Sequence, residues 1–254
     1  MNLKVLGCSG GIGGRNRTTA FLADDDILID CGTGVGDLEL DALARIDHIF
    51  VTHSHLDHIA SIPLLVDSVG EMRHLPVTIH ATSETIRILR AHVFNWLIWP
   101  DFTAIPDERR PYMRFHPLTV GEPVQLGSRT VTPLPALHTV PAVAYCLDSG
   151  RGKLVYTGDT AYSGELIAAI NRLTDLRHLI IETAFSDGQH GLALAARHLC
   201  PSMLAAMLEE VTGSPEVFVT HLKPGQGDQI MREIAARSRG ASPLALEQGQ
   251  VLEF

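Results

Sequence analysis

A short polar cluster, residues 52–58, follows an apolar run at 46–51 that predicts a buried strand. The cluster reads Thr-His-Ser-His-Leu-Asp-His, and four of its side chains can ligate a metal. Imidazole and carboxylate groups are costly to bury without partners, so core packing rarely needs so many together. In an extended segment, side chains two apart point the same way. His53 and His55 can therefore bind one ion together.

The last two ligand-type residues of this cluster, Asp57 and His58, come where the chain turns toward a helix. They can reach a second ion beside the first. A metal that is held by histidine and carboxylate and keeps a water is a hydrolytic centre. The alternative is a polar loop with solvated histidines, which is the ordinary interpretation of a lone histidine. The His-x-His-x-Asp-His spacing favours the metal centre.

Three further ligand-type residues also follow β-like runs directly. They are His138, Asp159 and His221. Functional residues gather at the carboxyl ends of strands because those loops meet at one edge of a sheet. Together with His53, these residues predict one site at a shared edge.

Apolar alternation and turn residues predict the remaining elements. Strands are expected at 2–7, 18–23, 27–30, 77–80, 114–118, 124–126, 130–135, 143–147, 153–156, 178–181 and 217–220. Helices are expected at 59–69, from 82 onward, from a Ser163 cap to about 173, and at 191–198, 201–211 and 227–238.

Two loops near the amino terminus have alternative interpretations. Residues 7–14 are rich in glycine but fit neither phosphate-binding pattern, which favours a turn with close backbone approach over a phosphate cradle. Asp30 ends a predicted strand beside Cys31-Gly32. It either accepts a hydrogen bond from a metal-binding histidine or caps a turn.

Composition bounds the partners of the chain. The 254 residues are enough for one large α/β core or two small domains, and the absence of linkers or composition shifts favours a single domain, 1–254. The formal net charge of −9 disfavours a large RNA substrate, so an anionic ligand would be attracted locally by bound cations. Four scattered cysteines suit a reduced cytoplasm, and no apolar run approaches the length of a membrane span.

Residues 94–102 hold four of the aromatic side chains of the chain. Such a dense group can pack in the core, bury at a subunit interface or stack on a nucleobase. Core or interface packing is favoured over ligand contact, and a homodimer is compatible with it.

Several motifs together resemble one known family. They are Gly7-Cys8-Ser9-Gly10-Gly11, Asp30-Cys31-Gly32, the His53–His58 motif, His138, Gly158-Asp159-Thr160 and His221. On these residues the chain resembles the metallo-β-lactamase superfamily along nearly its whole length. The resemblance implies an α/β fold of four layers, an αββα sandwich of two mixed β-sheets with helices on the outer faces.

The same resemblance implies two metal ions and their ligands. His53, His55 and His138 would hold one ion, whereas Asp57, His58 and His221 would hold the other. Asp159 would bridge both ions. Zinc suits such a site best, although manganese and iron stay open because the donor set does not exclude them.

Within the superfamily, the chain is most similar to class II 3′,5′-cyclic-nucleotide phosphodiesterases. The likeness is carried by residues 53–61, Phe94-Asn95, 98–101, Ile181-Glu182, 198–201 and 221–224. The last three segments are also similar to the tRNA 3′-processing endonucleases, which share a glutamate and a second histidine outside the metal set. Ala60 and Cys200 depart from the usual residues, and neither is a ligand.

The implied reaction is hydrolysis of cyclic AMP or cyclic GMP to a 5′-nucleotide. A hydroxide shared by two divalent ions would attack phosphorus, and Asp57 could orient the water or take its proton. The ribose oxygen needs a proton to leave, and His198 oriented by Glu182 fits that task. The alternative for His198 is a helix-end residue bonded to backbone.

Other functions remain open. A nuclease acting on tRNA precursors would favour a basic surface or arm, which this acidic chain does not show in its sequence. Thioester or lactam hydrolysis would have less need of an acid such as His198. A metal-binding interaction protein is disfavoured by the complete ligand set.

Overall fold

The computed structural model describes residues 1–237 and 243–254. Its strands are β1 (Asn2–Gly7), β2 (Ala20–Ala23), β3 (Ile27–Ile29), β4 (His48–Phe50), β5 (Val77–Thr82), β6 (Met113–Leu118), β7 (Val124–Leu126), β8 (Arg129–Pro135), β9 (Val143–Asp148), β10 (Lys153–Tyr156), β11 (Leu176–Glu182), β12 (Glu216–Thr220), β13 (Leu244–Ala245) and β14 (Val251–Glu253). Its helices are α1 (Leu40–Leu43), α2 (Leu56–Ile59), α3 (Ile62–Val69), α4 (Ser83–His92), α5 (Gly164–Ile170), α6 (His190–Ala196), α7 (Pro201–Glu210) and α8 (Gly227–Arg237).

The strands form two mixed sheets of seven strands each. The first sheet has the order β14-β1-β2-β3-β4-β5-β6, and its strands are parallel from β3 to β6. The second has the order β13-β12-β11-β10-β9-β8-β7, and its strands are parallel from β10 to β13. The parallel strands direct their carboxyl ends to common edges, where loops can place functional residues.

Side-chain alternation along the strands divides the core into layers. Phe50 on β4 packs between the sheets with Tyr145 and Leu154 of the second sheet, whereas its neighbour Ile49 packs on the opposite face with Leu65 of α3. This alternation is the two-residue period of a strand. A third cluster lies on the outer face of the second sheet, under α5, α7 and α8. The predicted four-layer αββα sandwich is thus confirmed, whereas the single domain 1–254 stays a prediction.

Several predicted boundaries were wrong. The helix expected at 59–69 is two helices, α2 and α3, because the chain breaks at Ala60 and Ser61 and Pro63 sits in the first turn of α3. The last helix ends at Arg237 within the described residues, and the predicted end at Ser238 lies outside them. The short elements α1, β13 and β14 were not predicted, since two to four residues show no periodicity.

The aromatic segment 94–102 is buried in part and exposed in part. Phe94 and Phe102 are buried in the core against the first sheet, which confirms core packing for these side chains. Trp96, Leu97 and Ile98 are exposed. The homodimer stays a prediction.

No single helix in the described ranges is long and apolar enough to cross a membrane. The helical pair Asp187–Ala196 and Pro201–Glu210 passes that test only when its two parts are joined, and it is bent by 74°.

Two leucines allow a matched test of the layer between the sheets. Leu147 on β9 is fully buried in that layer, whereas Leu97 is 88% exposed. We expect Leu147→Ala to lower the free energy of unfolding by about 2–5 kcal/mol, because it leaves a cavity. Leu97→Ala should change it by about 0.5 kcal/mol or less. Chemical denaturation measures both, and equal effects would contradict the assignment of the core.

Candidate metal centre

The ends of several strands bring the first predicted group of ligands together. His53 follows β4, His138 lies between β8 and β9, and Asp159 follows β10. One ligand atom from each of these residues and from His55 lies within 4.8 Å of the others. The His138 Nε2 and His55 Nδ1 atoms are 3.2 Å apart, and His53 Nε2 is 3.6 Å from Asp159 Oδ2. These distances suit imidazoles that converge on one cation.

The second predicted group shares Asp159 with the first. Asp57, His58, Asp159 and His221 also place ligand atoms within 4.8 Å of one another. His221 Nε2 is 3.1 Å from Asp57 Oδ2 and 3.3 Å from Asp159 Oδ2, and His58 Nε2 is 3.3 Å from the same Asp159 oxygen. Asp159 therefore stands between two ligand groups, the position that the family resemblance implies for it.

A test of metal fit comes from buried polar atoms. Three of them, His53 Nε2, His58 Nε2 and Asp159 Oδ1, are buried and find no hydrogen-bond partner among the described residues. A buried polar group without a partner costs about 1–3 kcal/mol. Cations between these atoms would satisfy all three at once, so the donor set fits divalent metal ions.

The electrostatics of the site favour mixed protonation in the absence of metal. Burial lowers the pKa of His53 well below its ordinary value, and lowers the pKa of His138 to about 4, so both imidazoles are neutral donors. Burial also disfavours the cation of His58, but Asp159 and Asp30 outweigh it and hold the pKa of His58 well above its ordinary value. Metal binding at His58 would then compete with its proton, which would make affinity depend on pH.

Asp30 supports the site from behind, as one of its two interpretations predicted. Its carboxylate is fully buried and accepts a hydrogen bond from His58 Nδ1 at 2.7 Å. The same carboxylate accepts hydrogen bonds from the Thr52 backbone N–H and hydroxyl group. In the neutral imidazole, this bond keeps the proton on Nδ1 and so presents the lone pair of Nε2 to the site. Such contacts orient metal-binding histidines.

The glycine-rich segment provides the close approach that was expected of it. The Gly10 N–H donates to the carbonyl oxygen of Leu222 at 3.1 Å. A Cβ at Gly10 would lie 2.5 Å from the carbonyl oxygen of His221 and 2.7 Å from its Nδ1. Any larger residue would therefore force Gly10 and His221 apart.

A carboxylate–imidazole pair lies beside the shared aspartate. The Oε1 atom of Glu182, at the end of β11, is 2.7 Å from His198 Nδ1, and both residues are buried. Burial disfavours the cationic form of His198, but the Glu182 charge and hydrogen bond outweigh it, so the pKa of His198 is raised. One ligand-type atom from each of Asp159, Glu182 and His198 lies within 4.8 Å of the others. An imidazole whose cationic form is favoured thus lies next to the two ligand groups.

Comparison with known proteins agrees with this fold. A family model described as the beta-lactamase superfamily domain matches residues 25–222. The chain belongs to this superfamily.

Full-length relatives support hydrolase activity. A probable 3′,5′-cyclic-nucleotide phosphodiesterase of Yersinia pestis is 24% identical, over 98% of this chain and 88% of its own length. The probable metallo-hydrolase YhfI of Bacillus subtilis is 28% identical over 92% of both chains. The crystal structure of unliganded yeast PDE1 has the same fold, with a TM-score of 0.81 at 20% identity over 100% of this chain and 99% of that one. The protein is accordingly a metal-dependent hydrolase.

A shorter match carries a different name. Ribonuclease Z of Methanothermobacter thermautotrophicus is 27% identical over 59% of this chain and 49% of its own length.

The sequence did not predict two residues that support the site. The Thr160 N–H donates to Glu182 Oε1 at 3.1 Å and so joins the loop of Asp159 to the His198 pair. Arg197 donates to the carbonyl oxygen of His138. Neither contact has a signal in local spacing, because the partners lie 22 and 59 residues apart.

The support from Asp30 can be tested by removing its charge. We expect Asp30→Asn to weaken metal binding by roughly 10- to 100-fold, because His58 loses the carboxylate that orients it. Titration with a competing chelator and metal analysis measure this loss. Asp25→Asn, in the exposed turn between β2 and β3, should keep wild-type affinity. Equal affinity in the two variants would contradict the supporting role.

Proposed function

We propose that this protein is a phosphodiesterase that uses two divalent metal ions, zinc by preference, to hydrolyse 3′,5′-cyclic nucleotides to 5′-nucleotides. The observation that carries the proposal is the His198–Glu182 pair, which lies beside a carboxylate shared by two ligand groups. Hydrolysis of a ribose ester needs both a strong nucleophile and an acid for the leaving oxygen. The full-length similarity to the Yersinia phosphodiesterase supports this substrate class.

The residues of the two ligand groups would hold the two ions in separate sets. His53, His55 and His138 would bind one, with Asp57, His58 and His221 on the other, and Asp159 between them. Bound there, the ions would supply a water of lowered pKa and positive charge for the phosphoryl oxygens. Imidazole-rich donor sets suit zinc, and the Irving–Williams order leaves manganese or iron available in the cell.

The Asp57 carboxylate would orient the attacking water or take its proton. Burial disfavours its charge, but the hydrogen bond from His221 and the charges of His58 and His221 outweigh that effect and hold the pKa of Asp57 below its ordinary value. The carboxylate is therefore ionised at neutral pH. Its side chain is 28% exposed and so remains open to the substrate side.

His198 would donate the proton that the departing ribose oxygen requires. Its ring lies 4.9 Å from the ring of His138 and 5.2 Å from the ring of His221, so it faces one residue of each ligand group. Glu182 holds the proton of His198 Nδ1, which directs Nε2 away from the carboxylate. His198 is thus placed to act on a diester bound between the groups.

A second candidate is tRNA 3′ processing, which the ribonuclease Z match favours. The same acid pair would serve that reaction, because it also expels a ribose oxygen. A net charge of −9 supports the smaller substrate, since an extended RNA backbone binds best to a basic surface.

The substrate is tested with metal-reconstituted protein and three substrates side by side: cyclic AMP, cyclic GMP and a tRNA precursor. We expect conversion of a cyclic nucleotide to the 5′-monophosphate, identified by chromatography, and no conversion by Asp159→Ala. RNA cleavage without cyclic-nucleotide turnover would establish the second candidate instead. No turnover of any of the three would overturn the proposed substrate class.

The acid role of His198 is tested by leaving-group dependence. His198→Ala should lower kcat on a cyclic nucleotide by roughly 10²- to 10⁴-fold, the usual contribution of a general acid. On bis(p-nitrophenyl) phosphate, whose leaving group needs no proton, the loss should be far smaller. Steady-state rates on both substrates measure the difference. Equal losses would exclude His198 as the acid.

A further inference from the structure

Arg197 joins helix α6 to His198 with a backbone conformation that is unusual for its residue type. Its φ is 54° and its ψ is 49°, in the left-handed region. A Cβ makes this conformation costly, and glycine is the usual residue where a helix ends this way. An arginine at this position therefore points to a compensating role of its side chain.

The side chain and backbone of Arg197 both contact His138. Arg197 Nη1 donates to the carbonyl oxygen of His138 at 2.6 Å. In return, His138 Nδ1 lies 3.0 Å from the carbonyl oxygen of Arg197. Because a carbonyl only accepts, the proton of this imidazole is on Nδ1. The lone pair of Nε2 then faces His55, whose Nδ1 is 3.2 Å away.

The loop that carries His138 has few other attachments. Residues 136–142 have no regular structure between β8 and β9. On one side of His138, the Leu137 N–H donates to the Thr160 hydroxyl at 3.1 Å, and the Ala161 N–H donates to the Leu137 carbonyl oxygen at 2.7 Å. Arg197 ties His138 itself. The reciprocal pair therefore fixes both the position and the tautomer of the imidazole.

We propose that Arg197 is a positioning residue for the metal centre, which holds His138 ready to bind before the ion arrives. The inference rests on the proposed function, because it requires His138 to be a metal ligand. Contacts of this kind typically change metal affinity by roughly 10- to 100-fold. The carbonyl oxygen of residue 197, which accepts from His138 Nδ1, is kept in any substitution of Arg197. The loss of metal affinity should therefore be about tenfold.

A folding role and a positioning role of Arg197 predict different metal binding by the Arg197→Gly variant. If Arg197 only ends helix α6, Arg197→Gly relieves the backbone and leaves the metal centre intact. If Arg197 positions His138, Arg197→Gly weakens metal binding although the metal-free protein is no less stable. Arg197→Ala removes the guanidinium and keeps the unfavourable backbone, so comparison of the two variants separates the effects.

The experiment measures Zn²⁺ affinity by chelator competition and thermal unfolding of the metal-free protein. We expect Arg197→Gly and Arg197→Ala to lose affinity by about tenfold each, with the glycine variant unfolding at no lower temperature than wild type. Arg197→Lys should recover part of the loss. Asp175→Gly is the matched control, since Asp175 has a similar φ of 59° in an exposed turn, and its affinity should not change.

His138→Ala separates failure of this inference from failure of the proposed metal centre. If His138→Ala loses affinity while both Arg197→Gly and Arg197→Ala bind Zn²⁺ as wild type does, Arg197 does not position the ligand, and the metal centre stands. If His138→Ala itself binds Zn²⁺ as wild type does, the assignment of His138 is wrong, and the inference is overturned with it.

Discussion

The buried carboxylate of Asp159 is the constraint on which the site depends. It is 1% exposed, and the Nε2 atoms of His53, His58 and His221 lie within 3.3–3.6 Å of its Oδ2 atom. Burial of an ionised carboxylate is expensive unless positive charge lies close by. A proton on His58 supplies some of that charge, and divalent cations would supply more. Ion binding at this site would therefore offset the free-energy cost of burying the carboxylate.

The two sheets meet at this site through hydrogen bonds as well as apolar packing. The Val143 N–H, at the start of β9, donates to the carbonyl oxygen of Thr52 at 3.0 Å, directly before His53. The His221 N–H donates to the carbonyl oxygen of Cys8 at 2.8 Å, which ties the end of β12 to the loop after β1. Each bond joins one sheet to the other beside a ligand. The ligand groups thus come from both sheets without relying on side-chain packing alone.

Much of this arrangement could be predicted because its signals are local. The spacing of His53 and His55 is the period of an extended chain, and the strand before Asp159 is visible as an apolar run. The helical region 59–69 was predicted as one helix because its apolar spacing spans the break at Ser61. The contact of Arg197 with His138 could not be predicted, since left-handed conformation and a reach across 59 residues leave no pattern in the chain.

The Glu182–His198 pair bears on which esters the proposed centre would cleave. Thiolates leave readily without a proton, so a thioester hydrolase gains little from a buried imidazole whose cationic form is favoured. Burial disfavours the cationic form of His198, and the charge and hydrogen bond of Glu182 outweigh that effect, which raises its pKa. The Thr160 N–H donates to the same Glu182 and follows Asp159 in the chain, so a hydrogen bond joins the Glu182–His198 pair to the loop of the shared carboxylate. That connection suits the proposed reaction, in which attack and departure would occur on opposite sides of one phosphorus atom.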